Sequence, residues 1–175
     1  MCWNIFQSFD AGIPYAGFYI FAKHLTSMNK IRVTKEFRFE AAHALMGYDG
    51  PCKNVHGHSY ELSVTVIGSP VFDRASAKIG MVMDFGDLKK LIKKQIIDSF
   101  DHALILNSEV PQEELQKFGE PFTNIVLVSY QPTSENFLLD FAKRISELLP
   151  EGIKLHNMRL RETSSSYAEW FADDN

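Results

Sequence analysis

The sequence predicts an α+β fold, an antiparallel four-stranded sheet with two helices packed on one face. Three observations lead there. The stretch FRFEAAHALMGYDGPCKNVHGHSYELSVTV, residues 37–66, holds two runs of strict apolar–polar alternation. Two later stretches, after Asp84 and after Pro132, place apolar residues at helical spacing behind a capping residue. The predicted elements then follow one another as strand pair, strand–helix, strand–helix, strand.

The strand pair comes first. Phe37, Phe39, Ala41 and His43 fall on one face of the first strand, with Glu36, Arg38 and Glu40 on the other. In the second, His56, His58, Tyr60, Leu62, Val64 and Val66 share a face, opposite Ser59, Glu61, Ser63 and Thr65. Period two is the mark of half-buried strands. Antiparallel pairing sets the exit of the first strand beside the entry of the second. Each apolar face therefore ends in histidine at the same end of the sheet, and His43, His56 and His58 converge. Three imidazoles around one spot are a ligand set for Zn²⁺ that leaves a fourth position open to water or substrate. Cys52, in the spacing C-x-x-x-H-G-H, has two readings: a fourth ligand closing a structural site, or a free thiol serving as base or nucleophile.

The following elements are read in order. Residues 68–77 form a connection rich in Gly, Ser and Pro. Met81-Val82-Met83 is a short third strand. Asp84 caps a helix with Phe85, Leu88, Leu91, Ile92, Ile96 and Phe100 inward, and with Lys89, Lys90, Lys93 and Lys94 on a solvated face. Residues 108–124, with Pro111 and Pro121, are a long connection containing one helical turn, and Ile125–Val128 is extended. Pro132-Thr133-Ser134-Glu135-Asn136 starts a second helix, with Thr133 or Ser134 as cap, that ends at Pro150 and Gly152. The last strand runs from Ile153 to Thr163 with His156, Met158, Leu160 and Glu162 on one face. A carboxylate at the end of an apolar face needs a partner. Arg159 and Arg161, on the opposite face, are poor candidates.

Composition bounds the rest. At 175 residues, 45% apolar and 23% charged, the chain is one globular domain. A net charge of −4, with no basic stripe, argues against nucleic acid as a partner. Cys2 and Cys52 make no disulfide framework, which fits a reducing cytoplasm. Residues 1–27 are aromatic-rich and interrupted by Gly12, Pro14 and Gly17. They lack the features of a signal peptide and the uninterrupted apolar length of a membrane span. They are expected either to be a loosely held extension ahead of a domain over 28–175 or to lie upstream of a working start at Met28. No glycine-rich phosphate loop or internal repeat is visible.

The F-E-A-A-H of residues 39–43, the C-x-x-x-H-G-H of 52–58 and the hydrophobic strand after them resemble the 6-pyruvoyltetrahydropterin synthase / 6-carboxytetrahydropterin synthase family. The likeness runs from Ile31 to Trp170, and the three-residue gap after Cys52 is closer to the bacterial carboxy-type enzymes. The resemblance implies the tunnelling fold, in which such sheets assemble side by side into barrels, and a homohexamer. It implies a zinc-dependent lyase acting on 7,8-dihydroneopterin triphosphate. The carboxy-type products are 6-carboxytetrahydropterin, acetaldehyde and triphosphate, on the route to queuosine; the pyruvoyl-type reaction on the same substrate is the alternative. It further implies catalytic roles for Cys52, Asp101, His102 and Glu162. Glu162 would anchor the pterin ring, and Thr133 and Ser134 would contact it. A reading from another class is a non-catalytic pterin- or zinc-binding module whose site Cys52 closes.

Overall fold

The computed structural model describes residues 29–118 and 123–175. The proposed extension over 1–27, and Met28 itself, lie outside the described residues.

Strand β1 (Ile31–His43) pairs antiparallel with β2 (His56–Gly68), and His43 stands opposite His56, Ala41 opposite His58 and Phe39 opposite Tyr60. This is the register that the alternation predicts. Its apolar face is buried, with Phe39, Tyr60, Leu62, Val64 and Val66 in the core. Gly57 sits where the strands draw together, and a Cβ there would press on the Ala41 carbonyl oxygen at 3.2 Å, tighter than most such contacts.

The sheet is larger and more mixed than expected. Six strands lie in the order β4-β3-β1-β2-β5-β6, with β3 (Ala103–Asn107), β4 (Ile125–Val128), β5 (Lys154–Thr163) and β6 (Ser166–Phe171). β3 runs parallel to β1, and β4 parallel to β3. β5 and β6 are antiparallel to their neighbours. All five residues of β3 are buried, so its first four read as an apolar run, closed by the buried Asn107, rather than an alternation. The expected strand at Met81-Val82-Met83 is not one. Those residues are irregular and close a loop in which the Val71 N–H donates to the Met81 carbonyl at 2.9 Å.

Helix α1 (Phe85–Ile92) starts at Asp84, whose carboxylate accepts the Gly86 N–H at 2.6 Å. It continues through a π-helical stretch (Lys93–Ile97) and a last turn (Asp98–Phe100). Helix α2 (Gln112–Phe118) is a third helix where a single turn was expected. Helix α3 (Ser134–Ser146) starts at Thr133. The α1 stretch and α3 bury Leu88, Ile92, Ile96, Phe100, Phe137, Phe141 and Ile145 against the β1–β2–β5 face. By contrast, α2 packs Leu115 and Phe118 on the other face, over Leu104 and Leu106. No helix among the described residues is long and apolar enough to cross a membrane.

A bulge corrects one assignment. Pairing between β2 and β5 slips between Thr65 and Val66, leaving His156 without a partner across the ladder. The extra residue turns the strand, so Leu155 and Met158 enter the core while His156 does not. His156 instead accepts the Arg32 Nε–H at 2.6 Å and packs against Phe171.

Candidate metal centre and active site

The ends of β1 and β2 bring His43, His56 and His58 together, their nearest ring nitrogens all within 4.8 Å of one another. Two of the rings are oriented by the backbone. The Nδ1 of His43 lies 2.6 Å from the Pro132 carbonyl oxygen, and that of His56 lies 2.9 Å from the Asn54 carbonyl oxygen. A carbonyl can only accept, so each Nδ1 carries the proton and each Nε2 is left with a lone pair. Those two Nε2 atoms face each other at 3.1 Å. Two lone pairs at that distance repel unless a cation lies between them. Tetrahedral zinc with bonds near 2.0–2.1 Å would set its nitrogens about 3.3 Å apart. His58 Nε2 is buried and has no hydrogen-bond partner among the described residues. The donor set fits a metal ion, and the carbonyl on the far nitrogen is the usual way such a ligand is held.

Electrostatics favour the ligand form. His43 is 3% exposed. Burial is the largest cause holding His43 and His58 below the ordinary histidine value, and it keeps them neutral.

Glu162, from β5, lies against the same cluster. Its Oε1 is 3.5 Å from His58 Nε2 and 3.6 Å from His43 Nε2. The Tyr60 hydroxyl donates to it at 3.3 Å. Tyr60 is fully buried and stacked on Phe39 at 5.0 Å. Burial first, then the neighbouring carboxylate, pushes its phenol up, so it remains a donor.

Residues 32–173 match the family described as 6-pyruvoyl tetrahydropterin synthase. The chain belongs to this family. It is 36% identical over 149 residues to 6-carboxy-5,6,7,8-tetrahydropterin synthase of Haemophilus influenzae, covering 79% of this chain and 97% of that protein. The enzyme of the same name from Aquifex aeolicus is 34% identical over 165 residues, covering 81% and 98%. Among solved structures, an uncharacterized protein from Wolinella succinogenes aligns with a TM-score of 0.67 at 20% identity, covering 82% of this chain and 99% of that one. The Caenorhabditis elegans 6-pyruvoyl tetrahydropterin synthase aligns at 0.57 and 24%, covering 83% and 97%. At these identities the structures establish the fold alone. The chain is thus an enzyme of the tetrahydropterin synthase family, which sets aside the non-catalytic module.

The remaining candidates fall in two places. Thr133 and Ser134 stand beside the cluster, since the residue before them, Pro132, holds His43. Thr133 is the helix cap, its hydroxyl accepting the Asn136 N–H at 3.3 Å. Ser134 is 7% exposed, and its hydroxyl has no partner among the described residues. Cys52 lies in a short 3-10 turn (Pro51–Lys53), half-buried, and is not part of the metal-holding group. Asp101 and His102 pair with each other, Oδ1 to Nδ1 at 3.0 Å. They do not join the histidine cluster. His102 lines a cleft of ≈ 530 Å³ with Glu40, Gly57, His58, Ser59 and Asn124, so the cleft reaches one of the three clustered histidines. The Glu40 N–H holds the Asp101 carboxyl below the usual carboxylate range. His102 adopts φ +58, a left-handed backbone at the end of the helix that glycine would adopt without strain. Sequence reading missed Tyr60 as the partner of Glu162, although its place on the histidine face was visible. The carbonyls of Pro132 and Asn54 carry no residue-type signal at all.

Proposed function

We propose that this chain is a zinc-dependent 6-carboxy-5,6,7,8-tetrahydropterin synthase. It would convert 7,8-dihydroneopterin triphosphate and one water to 6-carboxytetrahydropterin, acetaldehyde and triphosphate in the cytoplasm, on the route to queuosine. The observation that carries the proposal is the histidine cluster with Glu162 against it. Relatives named for the carboxy-type reaction, at 30–36% identity, support this product over the pyruvoyl alternative.

His43, His56 and His58 would hold zinc through their Nε2 atoms. When bound, zinc supplies Lewis acidity, which polarises side-chain oxygens and acidifies neighbouring C–H and O–H bonds. The Glu162 carboxylate accepts the adjacent ring N–H and amino group of the pterin, the paired arrangement that a carboxylate matches. Tyr60 fixes its orientation by donating to Oε1. Thr133 and Ser134 border the ring, with the Ser134 hydroxyl available to it. Cys52 is the general base on the side chain. His102, oriented by Asp101, relays protons.

The test is incubation of purified, zinc-loaded protein with 7,8-dihydroneopterin triphosphate and identification of the products by mass. Carboxytetrahydropterin with acetaldehyde supports the proposal. A product retaining the three-carbon side chain assigns the pyruvoyl-type reaction instead.

A further inference from the structure

We infer that Gln131 is a positioning residue that clamps the Cys52 loop onto the segment holding the metal ligand His43. The inference rests on the reading of Cys52 as the base of the proposed reaction. The loop over 44–55 connects β1 to β2. Its Met46 main chain is gripped at both ends of one side-chain amide: Gln131 Nε2 donates to the Met46 carbonyl, and Gln131 Oε1 accepts the Met46 N–H at 3.3 Å. One residue back, the Leu45 N–H donates to the Cys52 carbonyl at 3.0 Å. The clamp thus reaches the thiol-bearing turn through two consecutive residues.

The other side of the clamp is firmly held. The Gln131 carbonyl accepts the Thr133 N–H at 2.8 Å and the Asn136 side-chain amide at 3.0 Å. The next residue, Pro132, gives its carbonyl to His43. Gln131 is therefore where the base loop, the cap of α3 and the metal centre meet. The loop's remaining main-chain hydrogen bonds are local, as from the Tyr48 N–H to the Leu45 carbonyl and from the Lys53 N–H to the Gly50 carbonyl. Met46 and Tyr48 are exposed, and Gly47 takes φ +73. A primary amide is suited to this grip, because one planar group offers both the donor and the acceptor that a main-chain residue presents.

The test uses the full chain with its metal and two variants, Gln131→Ala and Gln131→Glu. Hydrogen exchange of peptides covering 44–55, measured without substrate, should accelerate roughly tenfold in Gln131→Ala, as expected for the loss of two hydrogen bonds. Peptides of α3 should be unchanged. Metal per chain should stay constant, because a main-chain carbonyl holds His43. Turnover should fall roughly 10- to 100-fold with KM within about twofold, the signature of a misplaced group rather than lost substrate binding. Gln131→Glu keeps one acceptor and removes the donor, and should lie between the two in exchange. Unchanged exchange over 44–55, or equal acceleration throughout the chain, overturns the clamp. Local acceleration in a protein inactive on the pterin substrate supports the clamp and overturns the reaction assigned to the site.

Discussion

His43 and His56 each commit one ring nitrogen to a backbone carbonyl, and this leaves the facing nitrogens no proton to share. The consequence appears in pH. His43 and His58 are held below their ordinary value of 6.5, with burial the largest cause. Between the lowered folded values and 6.5 the unfolded chain binds protons that the folded chain refuses, so stability rises with pH in that window. Metal-free protein should therefore melt at progressively lower temperature as pH falls below about 6.5 towards the lowered folded values. A flat profile would mean the imidazoles are solvated in the folded chain. In the proposed pterin site, Glu162→Gln would replace an acceptor by a donor facing the pterin amino group. Substrate binding should weaken by about 1–3 kcal/mol, read as KM or Kd, with zinc per chain unchanged. Cys52→Ala should keep its zinc through dialysis and lose roughly 10²–10⁴-fold in turnover, the worth of a positioned base. Loss of zinc in that variant would revive Cys52 as a fourth ligand. The histidines were legible because period two and antiparallel pairing alone bring them together. Their carbonyl supports were not, since any residue type supplies a carbonyl and only the folded chain aims it.

Strands β1 and β2 were readable at the scale of the element because one face is buried and the other is not. Strand β3 hid for the opposite reason. Buried on both sides, Ala-Leu-Ile-Leu-Asn has no alternation, and an apolar run of four does not distinguish strand from helix. The bulge that expels His156 was equally invisible, because one extra residue reverses the face of everything before it. The start of α3 was legible, and the structure assigns the cap to Thr133 rather than Ser134. Thr133→Ala removes the acceptor for the Asn136 N–H and should cost about 1 kcal/mol. In a chain of this size that lowers Tm by about 2–4 °C, measurable by calorimetry. Thr133→Ser should restore most of it. An unchanged Tm in the alanine variant would mean that water caps the helix equally well.

The sheet ends in two strands with no neighbour among the described residues, β4 on one side and β6 on the other. β4 exposes Leu127, and β6 exposes Tyr167 and Phe171. Exposed edges with apolar side chains are templates for pairing, and closed assemblies remove them. Sheet-to-sheet joining of several copies, β4 of one against β6 of the next, would leave no edge open. With 20.0 kDa per chain, the homohexamer implied by the family resemblance would have a mass of about 120 kDa (6 × 20.0) by light scattering. A closed ring of three joined edge to edge would give half that, so the hexamer requires a second contact between rings. Leu127→Lys places a charge on the β4 edge at an exposed position, where the fold of the single chain tolerates it. The particle should shift toward the single-chain mass while each chain keeps its metal, because the three ligands come from β1 and β2 alone. A wild-type monomer at micromolar concentration would overturn the closed assembly. An unshifted particle in the variant would place the joins away from β4.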